Sequence, residues 1–147
     1  MKKRLLLPFT HGIDEKAIDN VLRFAKASEV TLVALAIMSA PDQSYREFLR
    51  PEHVEQATDF LETIAARATL YGISVEQHEA FTLNVAATIL TTLRETESQG
   101  ILLILKEQTA CLLAPEVVTQ LQQDRSVNFY NLYIPAQKKA RKKTAFR

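Results

Sequence analysis

The sequence predicts an α/β protein: an open parallel sheet covered by helices on both faces. Three observations carry this. Arg4–Phe9, Val30–Met38 and Ile101–Leu105 are near-continuous apolar runs, lacking the alternation of a half-wet sheet, and read as strands buried on both sides. Between such runs, apolar residues recur at helical spacing. Strands that alternate with helices of this length form right-handed βαβ units, which gives a three-layer, five-stranded, doubly wound domain.

The elements follow in order. The first strand ends in the turn-like Thr10-His11-Gly12, and Asp14 is placed to cap a helix whose apolar face is Ala17, Ile18, Val21, Leu22 and Ala25. Val30–Met38 is the second strand. Ser39–Arg50, with Pro41, several charges and no period, reads as a loop with room for one irregular helical turn. Pro51 suits the first turn of a second helix with Val54, Ala57, Leu61, Ile64, Ala65 and Ala68 inward, ending at Gly72. Ile73–Phe81 is polar and alternating, which suits a sheet edge. Thr82 or Asn84 caps a third helix (Ala86, Ile89, Leu90, Leu93) closed by Gly100. After Ile101–Leu105, Pro115 opens a fourth helix with Val117, Val118 and Leu121, and a last strand runs from Val127 to Ile134 and stops at Pro135. No glycine follows Gly100, so Lys106–Leu113, at the carboxyl end of the fourth strand where ligands of such sheets sit, has no residue that lets amides close around a phosphate.

Composition narrows the class. The 147 residues, 47% hydrophobic and 24% charged, suffice for one self-contained core and exclude wholesale disorder. No apolar run approaches the roughly 20 residues that span a bilayer. Met1-Lys2-Lys3-Arg4-Leu5-Leu6-Leu7 starts like a signal peptide but meets Pro8 and then charge, so a cytoplasmic location is expected. Cys111 is the only cysteine, which excludes an intrachain disulfide and a thiolate metal cluster. Six basic residues and no acid lie in 138–147, leaving twelve basic against seventeen acidic residues elsewhere, a net of −5. The organisation expected is a domain over 1–135 with a basic, disordered tail over 136–147.

The order and spacing of these elements resemble the universal stress protein family. The resemblance runs from about Lys3 to Pro135 and rests on Leu5-Leu6-Leu7-Pro8-Phe9, the Asp14–Ser28 helix leading into Val30–Met38, the Gly72-Ile73-Ser74-Val75 step, Gly100–Leu105, and the closing Ile134-Pro135. It implies a Rossmann-like sheet of order 3-2-1-4-5, and homodimers formed through the last strand, here Phe129, Tyr130, Leu132, Tyr133 and Ile134. ATP-binding members carry an aspartate just after the first-strand proline and a loop G-x2-G-x9-G-[ST] after the fourth strand. This chain has Thr10 at the first position, a shorter glycine-free segment at the second, and Ala114-Pro115 in place of the closing glycine and hydroxyl. Proline has no amide to donate. The resemblance therefore implies loss of ATP binding in the family manner.

Candidate chemistry is sparse. The topology would bring His11 and Cys111 to one edge as a base and a thiol, but nothing orients them, and Cys111 among Ala110, Leu112 and Leu113 reads first as a small buried hydrophobe. His11, His53 and His78 have no ligand spacing. No metal site, no cofactor and no catalytic residue is expected. An altered small-ligand pocket would draw on Thr10, His11, Ala36 and Lys106, with Lys106 replacing loop amides by a point charge. The tail Lys138-Lys139-Ala140-Arg141-Lys142-Lys143 fits an anionic partner, nucleic acid or membrane surface, or else a solubilising tail or one docked on the acidic body. The expected function is a dimeric binding or regulatory module of the stress response, not an enzyme. The alternatives are a small-ligand or nucleotide sensor and a tail-driven adaptor.

Overall fold

A computed structural model describes residues 3–39 and 51–135; the loop expected up to Arg50 and the basic tail lie outside the described residues. In chain order the elements are β1 (Arg4–Phe9), α1 (Glu15–Ser28), β2 (Thr31–Ser39), α2 (Pro51–Leu70), β3 (Val75–Thr82), α3 (Val85–Glu95), β4 (Gly100–Lys106), β5 (Thr109–Cys111), α4 (Pro115–Gln122) and β6 (Phe129–Ile134). Five parallel strands lie in the order β3-β2-β1-β4-β6. The expected fold class and order are borne out, including β3 at an edge. The count of five strands needs one correction: β5 is a sixth, short strand, antiparallel to β4, within the segment expected to be a plain connection.

Local chemistry accounts for the helices. Asp14 caps α1, its Oδ1 accepting from the Ala17 amide at 3.1 Å, and Ala17, Ile18, Val21, Leu22 and Ala25 are buried as the spacing requires. Asn84, not Thr82, caps α3, accepting from the Ala87 amide at 3.0 Å. α4 has no side-chain cap; Pro115 stands in its first turn, where a missing amide costs nothing. Arg67 on α2 grips Asp19 on α1 with two hydrogen bonds of 2.6 and 2.8 Å, which holds the Asp19 carboxyl below the usual carboxylate range.

The sheet separates two cores. One, under α1 and α2, contains Leu5, Leu7, Phe9, Ile18, Leu22, Phe60 and Ile64, with the Phe9 and Phe60 rings stacked at 4.3 Å. The other, under α3 and α4, contains Leu6, Val33, Leu35, Ile89, Ile101, Leu103 and Leu121. Gly100 is required by packing: a Cβ there would meet the Tyr130 ring and lie 2.8 Å from the Asn128 carbonyl oxygen.

The central strand explains where the site is. Six residue pairs join β1 to β2, but only Leu5↔Gly100 and Leu6↔Ile101 join β1 to β4. The Arg4 carbonyl and the Thr10 amide both bond on the β4 side. By the two-residue alternation of a strand, the amide that Pro8 lacks falls on that side too. The ladder stops one turn of the pleat before it, and the two strands part.

Candidate functional site

The gap between the carboxyl ends of β1 and β4 is the position where open α/β sheets bind ligands. Here the chain folds back into it. After Lys106 the backbone turns through Glu107 and Gln108 and returns as β5, pairing Lys106↔Thr109, Leu105↔Ala110 and Ile104↔Cys111. Glu107 and Gln108 both have positive φ, 54° and 70°, the geometry of a two-residue hairpin turn that normally calls for Asn-Gly. Leu112 follows with φ 73°, a third non-glycine residue in the left-handed region. Its side chain enters the core under α1 and α2, while that of Leu113 enters the core under α3 and α4. Their exposures are 4% and 2%, so the crevice is filled from both faces.

The donors that could hold an anion there are already engaged. The Leu112 carbonyl accepts from the Thr10 amide at 2.8 Å and the His11 amide at 3.4 Å. The Gly12 amide donates to Gln56 Oε1 at 3.1 Å. At the start of α4, the Ala114 amide donates to Thr10 Oγ1 at 3.0 Å. Thr10 is thus a clasp: its amide and its hydroxyl hold the two ends of the inserted Leu112-Leu113 pair.

The four pocket residues named from the sequence are divided by the fold. Thr10 and His11 come together, with Thr10 Oγ1 and His11 Nδ1 3.1 Å apart, and line a cavity of about 210 Å³ with Gln56, Ile37 and Met38. Ala36 is fully buried beside Phe9 in the β1–β2 ladder, outside that cavity's lining. Lys106 also lies outside it, its Nζ 3.8 Å from Asp14 Oδ2. Sequence reasoning missed Gln56 and the hairpin. The hairpin was hidden because its turn lacks the Asn-Gly signature and its strand is three residues long.

Cys111 is half-buried; burial first, and the nearby Asp14 charge second, push its thiol pKa up. His11 bonds Thr10 and shares no hydrogen bond with Cys111. His78 Nε2 sits 2.7 Å from Glu76 Oε2 and lines a different cavity from His11. The described residues contain no group of three or more His, Cys, Asp or Glu arranged to hold a metal ion, and none of their helices is long and apolar enough to cross a membrane.

On β6, Phe129, Tyr130 and Leu132 are half-buried, Ile134 is buried, and Tyr133 is 66% exposed. Among the described residues, β6 pairs only with β4, which leaves its outer edge open. Tyr130 is engaged within the chain, with Lys3 Nζ 5.0 Å from its ring centre.

Solved structures share this fold over about nine-tenths of the chain. A protein of the universal stress protein family from Burkholderia pseudomallei superposes with a TM-score of 0.68 at 19% identity, over 91% of this chain and 96% of its own. The fold is that of the universal stress proteins. A universal stress protein in complex with cAMP matches with a TM-score of 0.57 at 14% identity, over 90% of this chain and 96% of its own. One from Archaeoglobus fulgidus in complex with dAMP matches with a TM-score of 0.55 at 13% identity, over 91% of this chain and 98% of its own. No family model matches the sequence, and no curated protein matches it.

Proposed function

We propose that this chain is a cytoplasmic, dimeric binding or regulatory module of the stress response that does not bind ATP in the manner of nucleotide-binding universal stress proteins. The observation that carries this is the occupied crevice: Leu112 and Leu113 stand between β1 and β4, and Thr10, His11, Gly12 and Ala114 spend their amides within the protein. The open edge of β6, with exposed Tyr133 beside Phe129, Leu132 and Ile134, supports pairing with a second copy, because an unpaired strand edge is a template for another strand. No residue arrangement described above supplies a nucleophile with its base, so the module works by binding.

Isothermal titration of the full chain with ATP, AMP, cAMP and dAMP tests the nucleotide claim. The expected result is no heat of binding up to millimolar nucleotide; micromolar affinity for any of the four overturns it. Analytical ultracentrifugation tests the dimer, and a Tyr133→Glu substitution on the open edge is expected to give monomers.

One observation favours a second reading, a sensor of a small polar ligand. The cavity beside Thr10, His11 and Gln56 persists although the crevice is filled. At about 210 Å³ it lies below the roughly 300–1,000 Å³ of ordinary ligand pockets, which restricts it to ligands smaller than a nucleotide. A thermal-shift screen of small phosphorylated and carboxylated metabolites separates the readings, since a true ligand raises the melting temperature by mass action.

A further inference from the structure

Opposite β6, the sheet has a second open edge: among the described residues, β3 pairs only with β2. The register tells which backbone groups of β3 are left over. The Thr31 amide donates to the Lys3 carbonyl, so odd residues of β2 bond toward β1 and even ones toward β3. With Leu32 opposite Val75, the β3 residues that bond β2 are Glu76, His78, Ala80 and Thr82. Val75, Gln77 and Glu79 therefore turn their amides and carbonyls outward, and Gln77 and Glu79 are exposed. Beside this edge runs a groove of about 790 Å³, because α3 faces it with the short side chains of Thr88, Thr91 and Thr92. Its floor includes the apolar Leu35, Ala80 and Ala87. From Glu76 to Thr82 it follows β3 for about 20 Å, at roughly 3.3 Å per residue.

Charge decides what fits. Arg4 is committed to Glu76 Oε1 at 2.6 Å and the Thr96 carbonyl at 2.8 Å, and His78 takes the other Glu76 oxygen at 2.7 Å. Glu79 at the edge, and Glu95 and Glu97 at the amino end of the strands, line the groove and form no ion pair with any described residue. A second copy is disfavoured, since antiparallel β3–β3 pairing sets the glutamates of one edge against those of the other. Long basic side chains match instead: their stems cover the apolar floor while their heads reach the carboxylates. We propose that β3 and its groove take up an extended Lys- or Arg-rich segment of another protein as an added strand. The outward backbone groups of Val75, Gln77 and Glu79 supply the ladder, and the carboxylates select for positive charge. This surface lies apart from the crevice, so the proposal stands whether or not nucleotides bind there.

Fluorescence anisotropy of the full chain with a labelled hexa-arginine peptide, paired with hydrogen exchange, tests this. Saturable binding is expected, about tenfold weaker in Glu95→Gln/Glu97→Gln protein whose melting temperature is unchanged. A hexa-arginine with alternate backbone amides N-methylated keeps the charge but loses donors, and should also bind at least about tenfold more weakly. At saturation the Val75, Gln77 and Glu79 amides should exchange about tenfold more slowly, while those of Glu76 and His78, already bonded to β2, stay as they were. Three results overturn the proposal: equal affinity for the N-methylated peptide, protection on β6 in place of β3, or no saturable binding up to millimolar peptide.

Discussion

Two seams flank the central strand, and they are built differently. On the β2 side, β1 is joined by six consecutive residue pairs, and β2 is joined to β3 by eight. On the β4 side the ladder ends after two pairs, and a hairpin with three left-handed non-glycine residues completes the sheet. The first seam is assembled from residues that prefer what they are asked to do. The second is held by tertiary packing against local preference. The difference teaches that the ligand crevice of this fold need not be lost by collapse. Here it is kept, and the chain itself stands in it.

The comparison breaks most sharply at the inserted pair. Leu113→Ala is expected to cost about 2–5 kcal/mol in chemical denaturation, the range for a buried leucine that leaves a cavity. An effect below about 1 kcal/mol would mean that the crevice is open in solution and that the insertion reading is wrong. Thr10→Val comes next. It keeps the shape but removes the acceptor for the Ala114 amide, and about 1–2 kcal/mol should be lost. Hydrogen exchange at Ala114 should quicken with it, while amides of the β1–β2 ladder stay protected.

The hairpin gives an effect of opposite sign. Glu107→Asn with Gln108→Gly supplies the residues that a two-residue turn with positive φ favours, and should stabilise the protein by about 1 kcal/mol. Loss of stability in that double variant would show that the turn does not adopt this geometry. The smallest effect belongs to the well-zipped side. Hydrogen bonds from His78, and then from Arg4, hold the Glu76 carboxyl below the usual carboxylate range. Its folded pKa therefore lies under its unfolded one, so its contribution is present above about pH 4 and fades as pH falls through the folded value. Glu76→Gln should flatten the acid limb of the stability profile and leave neutral-pH nucleotide titrations untouched.

Much of the fold was legible because burial on both faces writes itself directly into composition. Arg4–Phe9, Val30–Met38 and Ile101–Leu105 have no polar alternation, and the polar, alternating Ile73–Phe81 announced an edge. Helix starts were legible where a side chain caps them, as at Asp14, and ambiguous where two candidates stood two residues apart, as at Thr82 and Asn84. The site was legible only as an absence. Without glycine, Lys106–Leu113 could be read as unable to cradle a phosphate, but not as a strand that takes the ligand's place.

What the sequence determined by itself is the layered parallel sheet, the Asp14 cap of α1, the Pro115 start of α4, and the loss of the phosphate-binding amides, since each follows from residue type and near spacing. The tertiary structure alone decided that Glu107, Gln108 and Leu112 adopt left-handed backbone, that Thr10 clasps Ala114, and that Leu112 and Leu113 part into opposite cores. Those conformations run against local preference at each residue. They hold because burying two leucines in a gap that β1 and β4 leave open outweighs the strain of reaching it.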